Sequence, residues 1–97
     1  IAGGMRVNDP AIDLGIACAI ASGVRNVPIC DDLIIIGEIG LAGEVRGVSN
    51  ILQRVKEASK MGFKSCIIPK SNYTSEMKNL GISVIGVSTL TEAFGEI

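Results

Sequence analysis

The sequence contains no histidine and no tryptophan. Without an imidazole there is no His-based acid–base catalysis, and most zinc sites lose their usual nitrogen ligand. Aromatic residues make up 3% of the chain and apolar residues 47%, so the core has to be Ile, Val, Leu and Ala. Three cysteines, Cys18, Cys30 and Cys66, show no CxxC spacing and leave an odd count. That pattern fits buried free thiols in a reducing compartment rather than a disulfide framework or a metal site. No apolar run approaches the ~20 residues of a membrane span, and no signal peptide is visible. A GxxxxGK[ST] loop is also missing, so this stretch has no P-loop with which to bind or hydrolyse ATP. The formal net charge is −1. A dedicated nucleic-acid module carries a clear basic excess, so the balance leaves room only for a local basic patch.

What is present is an α/β pattern. Ninety-seven residues make one domain, 1–97, able to bury roughly 60–65% of its unfolded surface. The first residue is Ile1 rather than Met, and a fragment of a longer protein is expected. The chain centres on Leu33 to Val48, LIIIGEIGLAGEVRGV. Its opening apolar run is strand length and β-branched, and the glycines at 37, 40, 43 and 47 suggest turns or close approach. A central strand running straight into a tight hairpin is expected.

Ile1 to Val7 reads as the tail of a strand. Asp9 and Pro10 then read as N-cap and first helical residue, and Asp13 complements the helix dipole. Ala11 to Ser22, AIDLGIACAIAS, is apolar nearly all round, which predicts a helix buried on most sides. Ser49 or Asn50 is placed to cap a second helix reaching about Met61, with Ile51, Leu52, Val55 and Ala58 inward. Arg54, Lys56, Glu57 and Lys60 are expected to face out, and Gly62 suits the C′ position. Phe63 to Pro69 reads as a strand, 71–79 as a short helix, 81–87 as a strand, and Ser88-Thr89 as the cap of a last short helix. Strands alternating with helices give an α/β or α+β layered domain.

The residues GEIGLAGEVRGV resemble the strand-hairpin of Lon-type proteolytic domains, GEI-x-L-x-G-x-V. So does the stretch from Ala58 through Met61-Gly62-Phe63-Lys64 to Ile67-Ile68-Pro69-Lys70. The resemblance implies a layered sheet with helices, of the ribosomal protein S5 domain 2-like type. Lon enzymes use a serine–lysine dyad. Laid on this chain, the serine position falls on Ala11 and the lysine position on Leu52. Losing either member of such a unit costs on the order of 10⁶-fold, so the resemblance implies a Lon-like fold without peptidase activity.

A sharper resemblance, to the C-terminal domain of the bacterial RadA (Sms) DNA repair family, lies in Gly3 to Leu14, GGMRVNDPAIDL, and again in GEIGLAGEVRGV. It implies a parent protein with an N-terminal zinc finger and a RecA-type ATPase, using ATP, Mg and Zn and acting on DNA in recombination. It further implies a hexameric ring, a bacterial cytoplasmic setting and recombination proteins as partners. This stretch would be the ring-forming platform and would itself need no cofactor or metal. Arg54, Lys56, Lys60, Lys64 and Lys70 form its densest basic cluster, a solvated helix face or a phosphate-tracking patch. The remaining readings are an active serine–lysine peptidase and a peptide-binding module with an inherited cleft. Asp9 with Asp13, and Glu38 with Glu44, read as caps and turn residues rather than catalytic pairs.

Overall fold

The computed structural model describes residues 9–97; the expected strand tail at Ile1 to Val7 lies outside them. The first element is a single 3₁₀ turn, Pro10–Ile12. Asp9 caps it, its carboxylate accepting from the Ala11 amide at 3.0 Å, and Pro10 supplies the preset φ of a first position. The turn continues into α1, Asp13–Arg25. Asn26 closes α1 in the left-handed region at φ 57. Its amide returns to the Gly23 carbonyl and that of Val27 to Ser22, a Schellman-type stop.

Three strands form a parallel sheet: β1 Leu33–Ile35, β4 Ser65–Pro69 and β5 Ser83–Val87, in the order β1-β4-β5. Ile34 stands opposite Cys66, and Cys66 opposite Val84. Among the described residues the central strand is therefore β4, not the one beginning at Leu33. Its sequence SCIIP explains this, since Cys66 to Pro69 are all buried and such a run needs cover on both faces.

The chain leaves β1 at Ile36 and enters a separate antiparallel hairpin, β2 Glu38–Ile39 and β3 Val45–Arg46. The expected continuous strand-hairpin is thus split at Gly37. A Cβ there would stand 3.0 Å from the Leu14 side chain and 3.2 Å from that of Val45, so only glycine lets the strand turn so close to α1. The Val45 amide donates to the Ser88 carbonyl and the Leu90 amide to Gly43, which ties the hairpin to the start of α3, Leu90–Gly95. Thr89 caps that helix through the Glu92 amide, as its sequence predicts.

Helix α2, Ile51–Lys60, crosses back between the hairpin and β4. Asn72 holds its approach, its Oδ1 accepting from the Val48 amide at 2.8 Å and its Nδ2 donating to the Val48 carbonyl at 3.2 Å. Asn50 occupies the N-cap place but lies at φ 58 and makes no side-chain cap bond. Gly62, at φ +95, ends the helix as expected. The stretch 71–79 holds two 3₁₀ turns, Lys70–Asn72 and Ser75–Asn79, instead of one helix.

The sheet separates two apolar clusters. One joins α2 to the sheet through Val55, Ala58, Cys66, Ile68, Met77 and Ile82. The other joins α1 and α3 to it through Leu14, Cys18, Ile67, Val87 and Ala93. Cys66, Ile67 and Ile68 alternate between clusters because successive strand side chains point to opposite faces. This is a three-layer α/β arrangement, in agreement with the fold class expected. A further expectation fails: α1 is buried on one face only. Leu14 and Cys18 are fully covered, while Ile16, Ile20 and Val24 stand out from the domain. Cys30 likewise is exposed, whereas Cys18 and Cys66 are buried free thiols.

Candidate functional site

A cleft of about 360 Å³ opens where the 3₁₀ turn, the end of β1 and α2 meet. Its floor is apolar, from Ala11, Ile34, Ile35, Ile36 and Ala58, and Gln53, Arg54 and Glu57 stand at its polar side. Backbone bonds fix its shape. The Gly37 amide donates to the Ala11 carbonyl at 2.9 Å, and the Leu14 amide donates to the Gly37 carbonyl at 3.0 Å. Ala11 is thereby held at the cleft floor, only 4% exposed, its methyl group part of the α2-side cluster.

Leu52 is not in this cleft. It packs its side chain against the core and borders a neighbouring shallow groove with Gln53, Lys56 and Lys60. The α2 cation that shares the cleft with Ala11 is Arg54. Its guanidinium donates from Nη1 to the Asp9 carboxylate at 3.3 Å, and from Nε to the Ser49 carbonyl at 2.9 Å. Arg54 therefore does not simply face out, as expected of it. It lies three residues after Ile51 and four before Ala58, a spacing that puts it beside the buried stripe. That spacing is the signal that could have assigned it to the cleft; its partner Asp9, far away in sequence, left no local trace. The Asp9 carboxyl is held below its ordinary value, chiefly by the Ala11 amide and then by Arg54.

The chemistry of this arrangement is limited. Ala11 offers no nucleophile. A guanidinium stays protonated at any physiological pH, so Arg54 cannot accept a proton as a dyad base must. Of the neighbouring serines, Ser22 donates to the Val27 carbonyl and Ser59 to that of Leu80 at 2.7 Å, while Ser49 meets Arg54 through its backbone carbonyl and lies outside the cleft lining. Among the described residues no serine or threonine hydroxyl bonds a lysine amine, and no three His, Cys, Asp or Glu side chains converge as metal ligands do.

The basic residues do not form one patch. Lys56, Lys60 and Lys64 are exposed along α2 and the approach to β4. Lys60 lies 3.8 Å from Glu57, a largely exposed pair. Lys64 precedes β4 and Lys70 follows it, which separates them by the length of a five-residue strand, roughly 20 Å. Glu44, read from the sequence as a turn residue, folds over its own hairpin, accepting from the Ala42 amide at 3.0 Å and pairing with Arg46 at 3.2 Å. These contacts hold its carboxyl below the ordinary range, backbone amides first and Arg46 second.

Residues 2–72 match the family model ChlI, described as subunit ChlI of Mg-chelatase, and the chain belongs to that family. Similar named proteins are DNA repair proteins. RadA of Bacillus subtilis (strain 168) is 53% identical over 93 residues, and RadA of Halalkalibacterium halodurans 55% over 93 residues. RadA of Streptococcus pneumoniae is 42% identical over 96 residues. These alignments cover 96%, 96% and 99% of this chain but 20%, 20% and 23% of the relatives, so the chain spans about a fifth of their length. The resemblance to the RadA family read from GGMRVNDPAIDL and GEIGLAGEVRGV is borne out. Among the described residues no helix is long and apolar enough to cross a membrane.

Proposed function

We propose that this chain is a Lon-like domain without peptidase chemistry, serving as the assembly platform of a RadA-like DNA repair protein. The observation that carries this reading is the pairing of Ala11 with Arg54 across the cleft: a methyl group and a permanent cation where cleavage needs a hydroxyl and a neutral amine. Leu52 supports the same conclusion, since its side chain packs in the core and carries no base. The longer protein then brings the motor chemistry. Its ATP, Mg and Zn belong to a RecA-type ATPase and a zinc finger outside this stretch, and its hexameric ring works in the bacterial cytoplasm with recombination proteins.

In this reading Lys56, Lys60 and Lys64 contact the DNA backbone. They are exposed on or just beyond α2, and the aromatic ring next to Lys64, Phe63, is packed against the core, a combination suited to phosphates rather than to base stacking. Arg54, named with them from the sequence, contributes less because Asp9 and Ser49 already engage it. The test is filter binding of duplex DNA across a salt series. The triple change Lys56→Glu, Lys60→Glu, Lys64→Glu should abolish binding at low salt, while Lys70→Glu should leave it nearly unchanged. Equal loss from both would assign binding to net charge alone and remove the DNA contact from the account.

The open, apolar cleft favours a second reading, a peptide-binding module. Its apolar floor beside β1, which is an edge strand among the described residues, suits an extended apolar segment. Peptide binding without hydrolysis would distinguish it.

A further inference from the structure

We propose that the hollow at the outer edge of β5, lined by Lys70, Tyr73, Val84 and Gly86, binds a nucleoside monophosphate unit, with the base on the Tyr73 ring and the phosphate at the Lys70 ammonium. The hollow measures about 450 Å³, within the ordinary range for a small-molecule site. One local bond places both side chains. The Tyr73 amide donates to the Lys70 carbonyl at 3.1 Å, closing the 3₁₀ turn Lys70–Asn72. Side chains three residues apart in such a turn eclipse, so the cation and the ring project on the same side. They start roughly 6 Å apart along the turn axis, comparable to the span from a base to its own phosphate. Gly86 lets the turn settle onto β5: a Cβ there would stand 3.1 Å from the Lys70 Cα.

Three observations select this ligand. Lys70 forms no ion pair among the described residues, so its charge is available to a phosphate. Tyr73 is 36% exposed, which leaves ring surface open to a stacked base. The third observation is the strand edge, since β5 is the last strand of the sheet among the described residues. The Ser83 amide donates to the Lys64 carbonyl at 3.0 Å, so Ser83, Ile85 and Val87 turn their backbone groups to β4. Val84 and Gly86 turn theirs outward, where they find no backbone partner among the described residues. They offer donors and acceptors to the edge of a base lying beside the ring. The open edge is short, because the Ser88 amide is taken by Glu92 and the Ser88 carbonyl by Val45. Two residues suit one base better than an added peptide strand. The hollow does not rest on the reading that assigns the α2 lysines to DNA. Bases in a duplex are stacked on one another and cannot lie on the ring, so Lys70→Glu spares duplex binding yet weakens this site.

The experiment is tyrosine fluorescence, because Tyr73 is the single tyrosine and the chain has no tryptophan. Thymidine monophosphate and oligothymidylate are titrated separately, with free N-acetyltyrosinamide as the control for absorption and collision. Saturable quenching beyond that control is expected. A lower midpoint for the oligomer, per nucleotide, assigns the hollow to a strand, and equal midpoints assign it to a free nucleotide. Lys70→Glu should raise the midpoint by roughly tenfold, the loss of a hydrogen bond to a charged group, while Lys70→Arg should keep it. As a second readout, the Gly86 amide resonance should shift on saturation of the native chain and stay in place in Tyr73→Leu. No saturable quenching by either ligand up to millimolar concentration overturns the proposal. So does an unchanged midpoint in Lys70→Glu, or a Gly86 shift that persists in Tyr73→Leu.

Discussion

The Asp9 carboxylate holds two parts of the domain at once: one oxygen caps the Ala11 amide at 3.0 Å, and the other receives the Arg54 guanidinium at 3.3 Å. One side chain therefore starts the first helical segment and ties it to α2 across the cleft. Asp9→Ala should remove both contacts and lower the melting temperature by several degrees. Asp9→Asn keeps a capping oxygen and loses the charge, so it should fall between the two in a thermal melt.

The pH dependence of this contact has a definite sign. The folded-state pKa of Asp9 lies below the ordinary 3.8. Its contribution to stability is then fully present above that ordinary value and is lost as pH falls through the folded-state value. Melting curves of the native chain and Asp9→Asn should differ at neutral pH and converge in acid below about pH 4. A gap that widens in acid would contradict the assigned pairing.

Burial makes the three thiols unequal. Cys30 is exposed and should react with Ellman's reagent at once, while Cys18 and Cys66 should react only after unfolding. Burial pushes the Cys66 thiol up to about 12. The unfolded chain ionises this thiol near 9.0 and the folded chain does not, so its stabilising contribution is present below pH 9 and is lost as pH rises toward 12. Denaturant midpoints should fall through that range, and less steeply in Cys66→Ala.

The sheet core and the hairpin should respond differently to substitution. Ile67→Ala empties a fully buried site on the central strand and should cost about 2–5 kcal/mol in urea unfolding. Gly37→Ala should cost about 1–3 kcal/mol by overpacking against Leu14 and Val45. At Gly40 an added Cβ would collide with the Glu44 carboxylate, so Gly40→Ala should release Glu44 from Ala42 and Arg46 and loosen the turn. Amide exchange at Ala42 reports that release.

Local signals made most elements readable. Asp9-Pro10, Gly62 and Thr89 mark ends through chemistry complete within four residues, and the structure follows them. SCIIP announces a strand covered on both sides. What escaped was set by distant partners. Residues of α1 are apolar nearly all round, yet composition cannot say how many faces find cover. The order β1-β4-β5 depends on pairings between distant residues, Leu33 with Ser65 and Ser65 with Ser83, which no run of β-branched residues encodes. The Asp9–Arg54 pair spans 45 residues. It brings an arginine to the cleft that Ala11 lines, whereas the resemblance to Lon-type enzymes assigns the lysine position to Leu52.

The claim of a cleft without catalytic chemistry is tested most directly by a fluorophosphonate probe with mass-spectrometric mapping of the labelled residue. The account predicts no adduct on the native chain above that on the heat-unfolded chain. A stoichiometric adduct on any serine or threonine of the domain, formed only by the folded chain, would contradict it.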